Sequence, residues 1–161
     1  MQQENENRRY KISKLQSKND MPFPLLLLAD ETTEAIEKYI YNSDVYIVRQ
    51  SEQVQPVAVF VLYKTSNAEI EIKNIAVAKM LQGKGIGSYL ISEIKSIAKQ
   101  GNFNTIIVGT PDSALRQINF YEKNGFIKYD VKKDFFIENY PEPIFEDGIM
   151  LRDMVMLKSG V

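Results

Sequence analysis

Apolar positions along the chain fall into short runs whose period changes several times. Arg9–Lys14 is expected to form a first strand. Phe23–Ala29 and Thr32–Tyr41 read as helices; in the second, Ile36 and Ile40 share a face at i, i+4 and Thr32 or Thr33 supplies an N-cap. Val45–Arg49 and Pro56–Tyr63 are β-branched and aromatic runs that predict strands. Pro56 opens the second of these, where a missing N–H does least harm.

Ile70–Val77 predicts a further strand with a break in phase. Ile70 and Ile72 lie on one face, Ile75 and Val77 on the other, because strand side chains alternate. Either a one-residue bulge near Lys73–Asn74 restores a common apolar face, or the strand is buried on both sides. Gly87–Gln100 predicts a helix with a stripe of Leu90, Ile94, Ile97 and Ala98, and Gly101 stops it. Thr105–Val108 is a short strand. Ser113–Lys123 is a helix capped by Asp112 or Ser113 and ended by Gly125. Phe126–Phe136 and Ile149–Leu157 complete the strands, and Ile137–Gly148, with Pro141 and Pro143, is expected to be a loop. No repeat or internal linker interrupts the pattern. The expectation is a single mixed α/β domain over residues 1–161, with strands before and after one strand–loop–helix unit.

Composition narrows the chemistry. The chain has no Cys, no His and no Trp. It therefore has no thiolate nucleophile, no Ser-His-Asp triad and no Cys-type zinc site, and no metal is expected. Any acid–base chemistry falls to Glu, Asp, Lys, Tyr or water. A net charge of −1 gives no general attraction to nucleic acid or anionic lipid. Met1–Lys11 is polar with no apolar leader, and Pro22–Ala29 is too short to span a bilayer, so a soluble, cytoplasmic protein is expected.

One segment concentrates glycine where it is costly. The predicted strand ending at Val77 runs through Ala78-Lys79-Met80-Leu81-Gln82-Gly83-Lys84-Gly85-Ile86-Gly87-Ser88 into the long helix. Three glycines in five positions let the backbone approach a ligand and turn its N–H groups toward one point. A helix N-terminus adds unpaired N–H donors and partial positive charge suited to a pyrophosphate, with Lys84 as a nearby cation. The P-loop pattern fails because no Gly-Lys-Ser/Thr occurs; the dinucleotide pattern fails because Ser88 stands at its third glycine. Those failures disfavour a nucleotide-binding protein of another fold.

Gln82-x-x-Gly85-x-Gly87 resembles the acyl-CoA loop of the GNAT superfamily, Q/R-x-x-G-x-G/A, preceded by the family's Ile75-Ala76-Val77 strand end. Asn119-Phe120-Tyr121-Glu122-Lys123-Asn124-Gly125-Phe126 is similar to that family's F-Y-E-K-x-G-F segment, with Tyr121 placed 34 residues after Gly87. Together the likeness runs from about Val45 to Tyr129. The tail, from Asp134 to Leu157, resembles a narrower bacterial group with an E-P-I-F-E-x-G-I…R-D-M signature.

The resemblance implies the acyl-CoA N-acyltransferase fold, a mostly antiparallel sheet with a splayed strand pair flanked by helices, and acetyl-CoA as cosubstrate. Pantetheine would lie in the splay and pair with backbone groups of Ile75 and Val77, with Ala76 between them. The Val77 N–H is then a candidate donor to the developing oxyanion. Gln82, Gly83, Lys84, Gly85, Ile86, Gly87 and Ser88 would hold the pyrophosphate. The family's general acid corresponds to Tyr121. Glu71, six residues before Val77, stands where some members carry a catalytic base, with Glu69 or water as alternatives. Many members have an Asn after the next strand; here the chain reads Gly109-Thr110-Pro111-Asp112-Ser113, so Ser113 is the candidate substitute.

The implied reaction moves acetyl from acetyl-CoA to a primary amine of a small molecule: an amino acid, a polyamine or an antibiotic-like amine. A protein N-terminus or lysine, and a non-catalytic acyl-CoA sensor, are the alternatives. The fold implies an acceptor site between the N-terminal helices and the last strands. Candidates there are Phe23, Leu26, Asp30, Glu31 and Glu34 on one side. On the other are Phe135, Phe136, Tyr140 and Phe145 with Glu138, Glu142 and Glu146; Arg116 or Arg152 would suit an acceptor carboxylate. The family also suggests a homodimer.

Overall fold

The computed structural model describes residues 9–161; part of the polar Met1–Lys11 segment lies outside them. The chain divides into two compact units. One gathers the residues up to Lys64 with Ile72–Glu93; the other gathers Thr65–Glu71 with Ile94–Val161.

The first unit holds β1 (Tyr10–Lys14), α1 (Phe23–Leu26), α2 (Thr33–Ile40), β2 (Asp44–Gln50), β3 (Pro56–Lys64), most of β4 (Glu69–Val77) and the start of α3 (Ile86–Gln100). Strands β1 and β2 pair antiparallel from Tyr10↔Gln50 to Lys14↔Tyr46, and β2 pairs antiparallel with β3. The β2–β3 register shifts between Val48 and Arg49, which brings Arg49 opposite Pro56 at the strand's first position. One face of this sheet packs Val45, Ile47, Val59, Val61 and Ala76 against Leu26, Ile36 and Ile40 of the two short helices. Full burial of each large aliphatic chain is worth about 1.5–3 kcal/mol. The i, i+4 pair Ile36 and Ile40 is fully buried, as its spacing predicts.

Thr32 caps α2, its Oγ1 accepting the Ala35 N–H at 3.1 Å. The expected helix over Phe23–Ala29 is only one α turn. Beyond Leu26 the chain tightens, with Leu28 N–H bonded to Leu25 C=O and Ala29 N–H to Leu26 C=O. Pro24, which has no N–H to donate, lies inside this turn.

Strand β4 corrects the sequence expectation. Burial alternates without a break from Glu69 to Val77, so there is no phase-restoring bulge and no burial of both faces. The inner face is Ile70, Ile72, Asn74 and Ala76; Glu69, Glu71, Lys73, Ile75 and Val77 share the other, half-buried face. Asn74 therefore occupies a core position. Its Nδ2 donates to the Leu26 carbonyl at 2.9 Å and to the Tyr39 hydroxyl at 3.2 Å. Its Oδ1 has no hydrogen-bond partner among the described residues, which costs roughly 1–3 kcal/mol.

The second unit holds the rest of α3, β5 (Thr105–Pro111), α4 (Leu115–Lys123), β6 (Ile127–Lys132), α5 (Phe135–Asn139), a small hairpin of β7 (Phe145–Glu146) and β8 (Ile149–Met150), and β9 (Met154–Gly160). Strand β9 is central to this unit, antiparallel to β5 on one side and β6 on the other. The chain is thus a mixed α/β protein whose strand pairs within each unit are antiparallel.

Four expectations fail here. Helix α4 begins at Leu115 after Ala114, and neither Asp112 nor Ser113 caps it; the Leu115 N–H bonds to the Ser113 carbonyl. The strand expected over Phe126–Phe136 ends at Lys132, because Asp134 takes a left-handed conformation (φ 56°) and starts α5. The Asp134 N–H is held by the Asp153 carboxylate at 2.9 Å, and Phe136 becomes core. The expected loop over Ile137–Gly148 contains β7, and the strand expected over Ile149–Leu157 is two strands, β8 and β9. Asp147 and Gly148, at φ 50° and 77°, form the turn of the β7–β8 hairpin.

Candidate functional site

The glycine-rich turn grows directly from the end of β4. The Ala78 N–H bonds to the Val57 carbonyl at 2.8 Å, fixing the strand end against β3. One 3-10 turn, Lys79–Leu81, follows. Gln82 then folds back: its Nε2 donates to the Val77 carbonyl at 2.9 Å and its N–H to the Lys79 carbonyl at 3.3 Å. Its backbone N–H and one of its two side-chain N–H groups are therefore engaged within the turn, which Gln82 braces.

Gly83 and Gly85 sit at φ 76° and 85°, in the left-handed region that costs other residues about 1–2 kcal/mol. Nothing lies within 4 Å of where a Cβ would stand on either, so their backbone faces open space. The first intrahelical bond of α3 runs from the Tyr89 N–H to the Gly85 carbonyl at 3.1 Å. The N–H groups of Ile86, Gly87 and Ser88 accordingly have no acceptor in the helix. Gln82, Gly83, Lys84, Gly85 and Ser88 are exposed, while Ile86 anchors the turn in the core at 4% exposure. Exposed left-handed glycines, open space and a free helix N-terminus are what a diphosphate needs from a protein backbone. These residues fit the pyrophosphate end of acetyl-CoA.

All of Ile75–Ser88 belongs to the first unit; Glu71, Ser113 and Tyr121 belong to the second. Ala76 points into the core, while Glu71, Ile75 and Val77 lie along one face of β4. Ser113 is half-buried ahead of α4. Tyr121 is buried in α4, edge-on to Phe120 and Phe126 at 5.2 and 5.5 Å between ring centres. Burial pushes its hydroxyl well above the ordinary value near 10, so the group stays protonated well beyond neutral pH.

Glu69 accepts the Thr65 hydroxyl at 2.8 Å and lines a cavity of about 380 Å³ with Thr105, Ile127, Tyr129 and Lys158. This cavity includes none of the glycine-rich turn. Burial, with the Glu69 and Glu71 carboxylates behind it, raises the Tyr129 hydroxyl above its ordinary value.

The acceptor candidates separate into structural and surface groups. Leu26 and Phe136 are core. Phe136 stacks on Tyr140 and meets Phe135 edge-on. Arg152 makes a surface contact with Asp134 at 3.7 Å. Asp30 is half-buried and accepts the Tyr39 hydroxyl at 3.1 Å and the Glu31 N–H at 2.8 Å. Glu31, Glu34, Arg116, Glu138, Glu142 and Phe145 are exposed; Phe23 and Glu146 are half-buried. Sequence reasoning passed over Asn74 and Tyr39. No local signal marks Asn74, because Ile75 and Val77 beside it look like the core residues of the strand while its own partners, Leu26 and Tyr39, lie far away in sequence.

The family model described as "Acetyltransferase (GNAT) domain" matches residues 42–128, more than half of the chain. The chain belongs to the GNAT acetyltransferase family. It is 39% identical over 139 residues to the uncharacterized N-acetyltransferase YvbK of Bacillus subtilis, covering 86% of this chain and 88% of that protein. A GNAT family acetyltransferase of Elizabethkingia anophelis, solved with acetyl-CoA bound, superposes with TM-score 0.89 at 35% identity, covering 95% of this chain and 99% of that one. A Bacillus subtilis acetyltransferase solved with CoA gives TM-score 0.84 at 36% identity, covering 94% and 99%. This GNAT chain is an acetyl-CoA-dependent acetyltransferase with the fold that its sequence predicts. Among the described residues, no helix of this GNAT protein is long and apolar enough to cross a membrane.

Proposed function

We propose that the chain works as one catalytic domain that transfers acetyl from acetyl-CoA directly to the primary amine of a small molecule, within a ternary complex. The observation that carries this reading is the turn at Gly83 and Gly85, left-handed and open, leading into the unpaired N–H groups of α3. Backbone donors there hold the diphosphate, with Lys84 beside it. The strand end Ile75–Val77 receives the pantetheine amides, and the Val77 N–H stabilises the oxygen of the tetrahedral intermediate.

The amine must be neutral to attack, and at pH 7 it is mostly protonated. Glu71 takes that proton, directly or through one water. Tyr121, protonated at neutral pH, gives a proton to the departing sulfur, and the second proton of the attacking nitrogen, released as the amide forms, restores the hydroxyl through water. With no cysteine in the chain, no acyl-thioester on the protein intervenes. Alignment of the two substrates supplies much of the rate, since fixed attack geometry contributes roughly 7–11 kcal/mol.

The test is a thiol-release screen with acetyl-CoA and amino acids, polyamines, aminoglycosides and short peptides. Release above the hydrolytic background with a small primary amine is expected. Release with peptides alone would overturn the small-molecule reading, and tight acetyl-CoA binding with no release for any amine would make the chain a sensor.

A further inference from the structure

The last turn of α4 is built around Tyr121 and gripped by a lysine of α3. The Tyr121 carbonyl accepts the N–H groups of Asn124 and Phe126, both at 3.0 Å, and the Glu122 carbonyl accepts the Gly125 N–H at 3.2 Å. With Gly125 left-handed at φ 91°, this crossed pair of bonds is a Schellman ending. The Phe126 ring completes it by lying edge-on to the Tyr121 ring, 5.5 Å between centres. The Asn124 side chain turns back to the Phe120 carbonyl at 2.8 Å.

The Asn124 carbonyl faces Lys95, whose ammonium donates to it at 2.7 Å. Both residues belong to the second unit. The same ammonium stands 5.7 Å from the centre of the Phe126 ring, so that ring is held between the Lys95 cation and Tyr121. A Cβ on Gly125 would come within 3.1 Å of Lys95 Nζ. Glycine there serves the turn and also leaves room for the cation. A lysine on a helix surface ordinarily keeps its head in water and its rotors free. Half-buried Lys95 instead fixes its chain to place a charge on one carbonyl at the negative end of another helix. Such charge-assisted bonds are short and hold geometry firmly.

We propose that Lys95 is a positioning residue for acetyl transfer. By clamping the Asn124 carbonyl and the Phe126 ring it sets where α4 ends, and so where the Tyr121 hydroxyl stands. A group that protonates a departing thiolate must lie within hydrogen-bond reach of it, and a misplacement of about 1 Å can cost a hundredfold in rate. The proposal rests on Tyr121 as the proton donor of the reading above and adds a residue that acts only through it.

The experiment is a double-mutant cycle on the full-length chain: Lys95→Met, Tyr121→Phe and the two together, with Lys95→Arg as the variant that keeps a cationic donor. It measures kcat and both KM values with the best amine of the thiol-release screen, and circular dichroism checks that each protein is folded at the assay temperature. Lys95→Met keeps the apolar stem and loses the ammonium. It is expected to lower kcat about ten- to a hundredfold and to leave the KM for acetyl-CoA and for the amine within about twofold. Lys95→Arg is expected to keep most of the rate. Adding Lys95→Met to Tyr121→Phe is expected to lower kcat by less than about threefold more, because the hydroxyl that Lys95 places is already gone. Should Lys95→Met fail to fold, Lys95→Gln takes its place in the cycle. An unchanged kcat, a loss repeated in full on the Tyr121→Phe background, or a fall in kcat with both KM values raised would overturn the proposal and leave Lys95 a structural clamp. So would an Arg variant as slow as the Met variant. Normal turnover by Tyr121→Phe, or no thiol release with any amine, would fail the reading beneath it and the proposal with it; a slow Tyr121→Phe beside a full-rate Lys95→Met would sink the clamp alone.

Discussion

The side-chain amide of Gln82 donates to the main-chain carbonyl of Val77 at 2.9 Å, tying the cofactor turn to the end of the strand it leaves. A family pattern that begins with Gln or Arg suggests a direct phosphate ligand, yet here the donor closes a loop of the chain on itself. Gln82→Ala is therefore expected to loosen the turn without removing a charge. One hydrogen bond is worth about 0.5–1.5 kcal/mol, so acetyl-CoA affinity should weaken by roughly two- to tenfold. Titration calorimetry with acetyl-CoA checks it, and an unchanged affinity would mean that the bond to Val77 does not hold the turn for binding.

Gly85 supplies a second prediction. At φ 85° it sits where an L side chain is strained, although the space around it is open. Alanine there meets no clash; it meets the backbone. Gly85→Ala should weaken acetyl-CoA binding by roughly five- to thirtyfold, matching the 1–2 kcal/mol of left-handed strain. Gly85→Asn should recover part of the loss, because Asn tolerates this region. Equal losses for both variants would point to bulk and not to conformation.

Much of this was legible in the sequence, for physical reasons that differ by element. The turn was readable because glycine at such density before a helix is costly without a ligand, and the structure gives Gly83 and Gly85 the left-handed conformation that the cost implies. Thr32 was readable because its side chain caps locally. Strand β4 was misread because Ile75 and Val77 look like core residues, while the core position between Ile72 and Ala76 is held by an amide. No local pattern predicts that, since the partners of Asn74 are Leu26 and Tyr39, far away in sequence. The pair Phe135-Phe136 reads as a strand end by residue type; Asp153, far along the chain, holds Asp134 and lets a helix start instead. The β7–β8 turn was a missed local signal, since Asp147-Gly148 is a favoured hairpin dipeptide.

Tyr121 links stability to pH through its burial. Its hydroxyl titrates above its ordinary value in the folded chain and near 10 in the unfolded one, so between those values the folded state holds a proton that the unfolded state has lost. The contribution is intact below pH 10 and falls by about 1.4 kcal/mol for each pH unit above it. Tyr121→Phe removes this slope. Other tyrosines are raised as well, so the comparison must be the difference between the two proteins. Urea unfolding from pH 8 to 11 should show the unaltered chain losing stability faster than Tyr121→Phe above pH 10. The same variant should be slower in acetyl transfer by about 10²–10⁴-fold if the hydroxyl protonates the leaving sulfur. Normal turnover by Tyr121→Phe would leave the residue as a core aromatic between Phe120 and Phe126.

Glu71 shares its strand face with Ile75 and Val77. Glu71→Gln keeps the shape and removes the charge. The variant is expected to bind acetyl-CoA as before and to lose about 10²–10⁴ in kcat at neutral pH. The loss should shrink as pH approaches the amine's own pKa near 10, because the amine then arrives unprotonated and needs no base. A rate deficit independent of pH would assign Glu71 to positioning. No deficit at all would move the proton to water or to Glu69, which sits two residues earlier on the same face and is bonded to Thr65. Glu69→Gln is the matching control, expected to leave the rate and its pH profile unchanged. The pair of profiles separates a base from a charge that merely lies nearby.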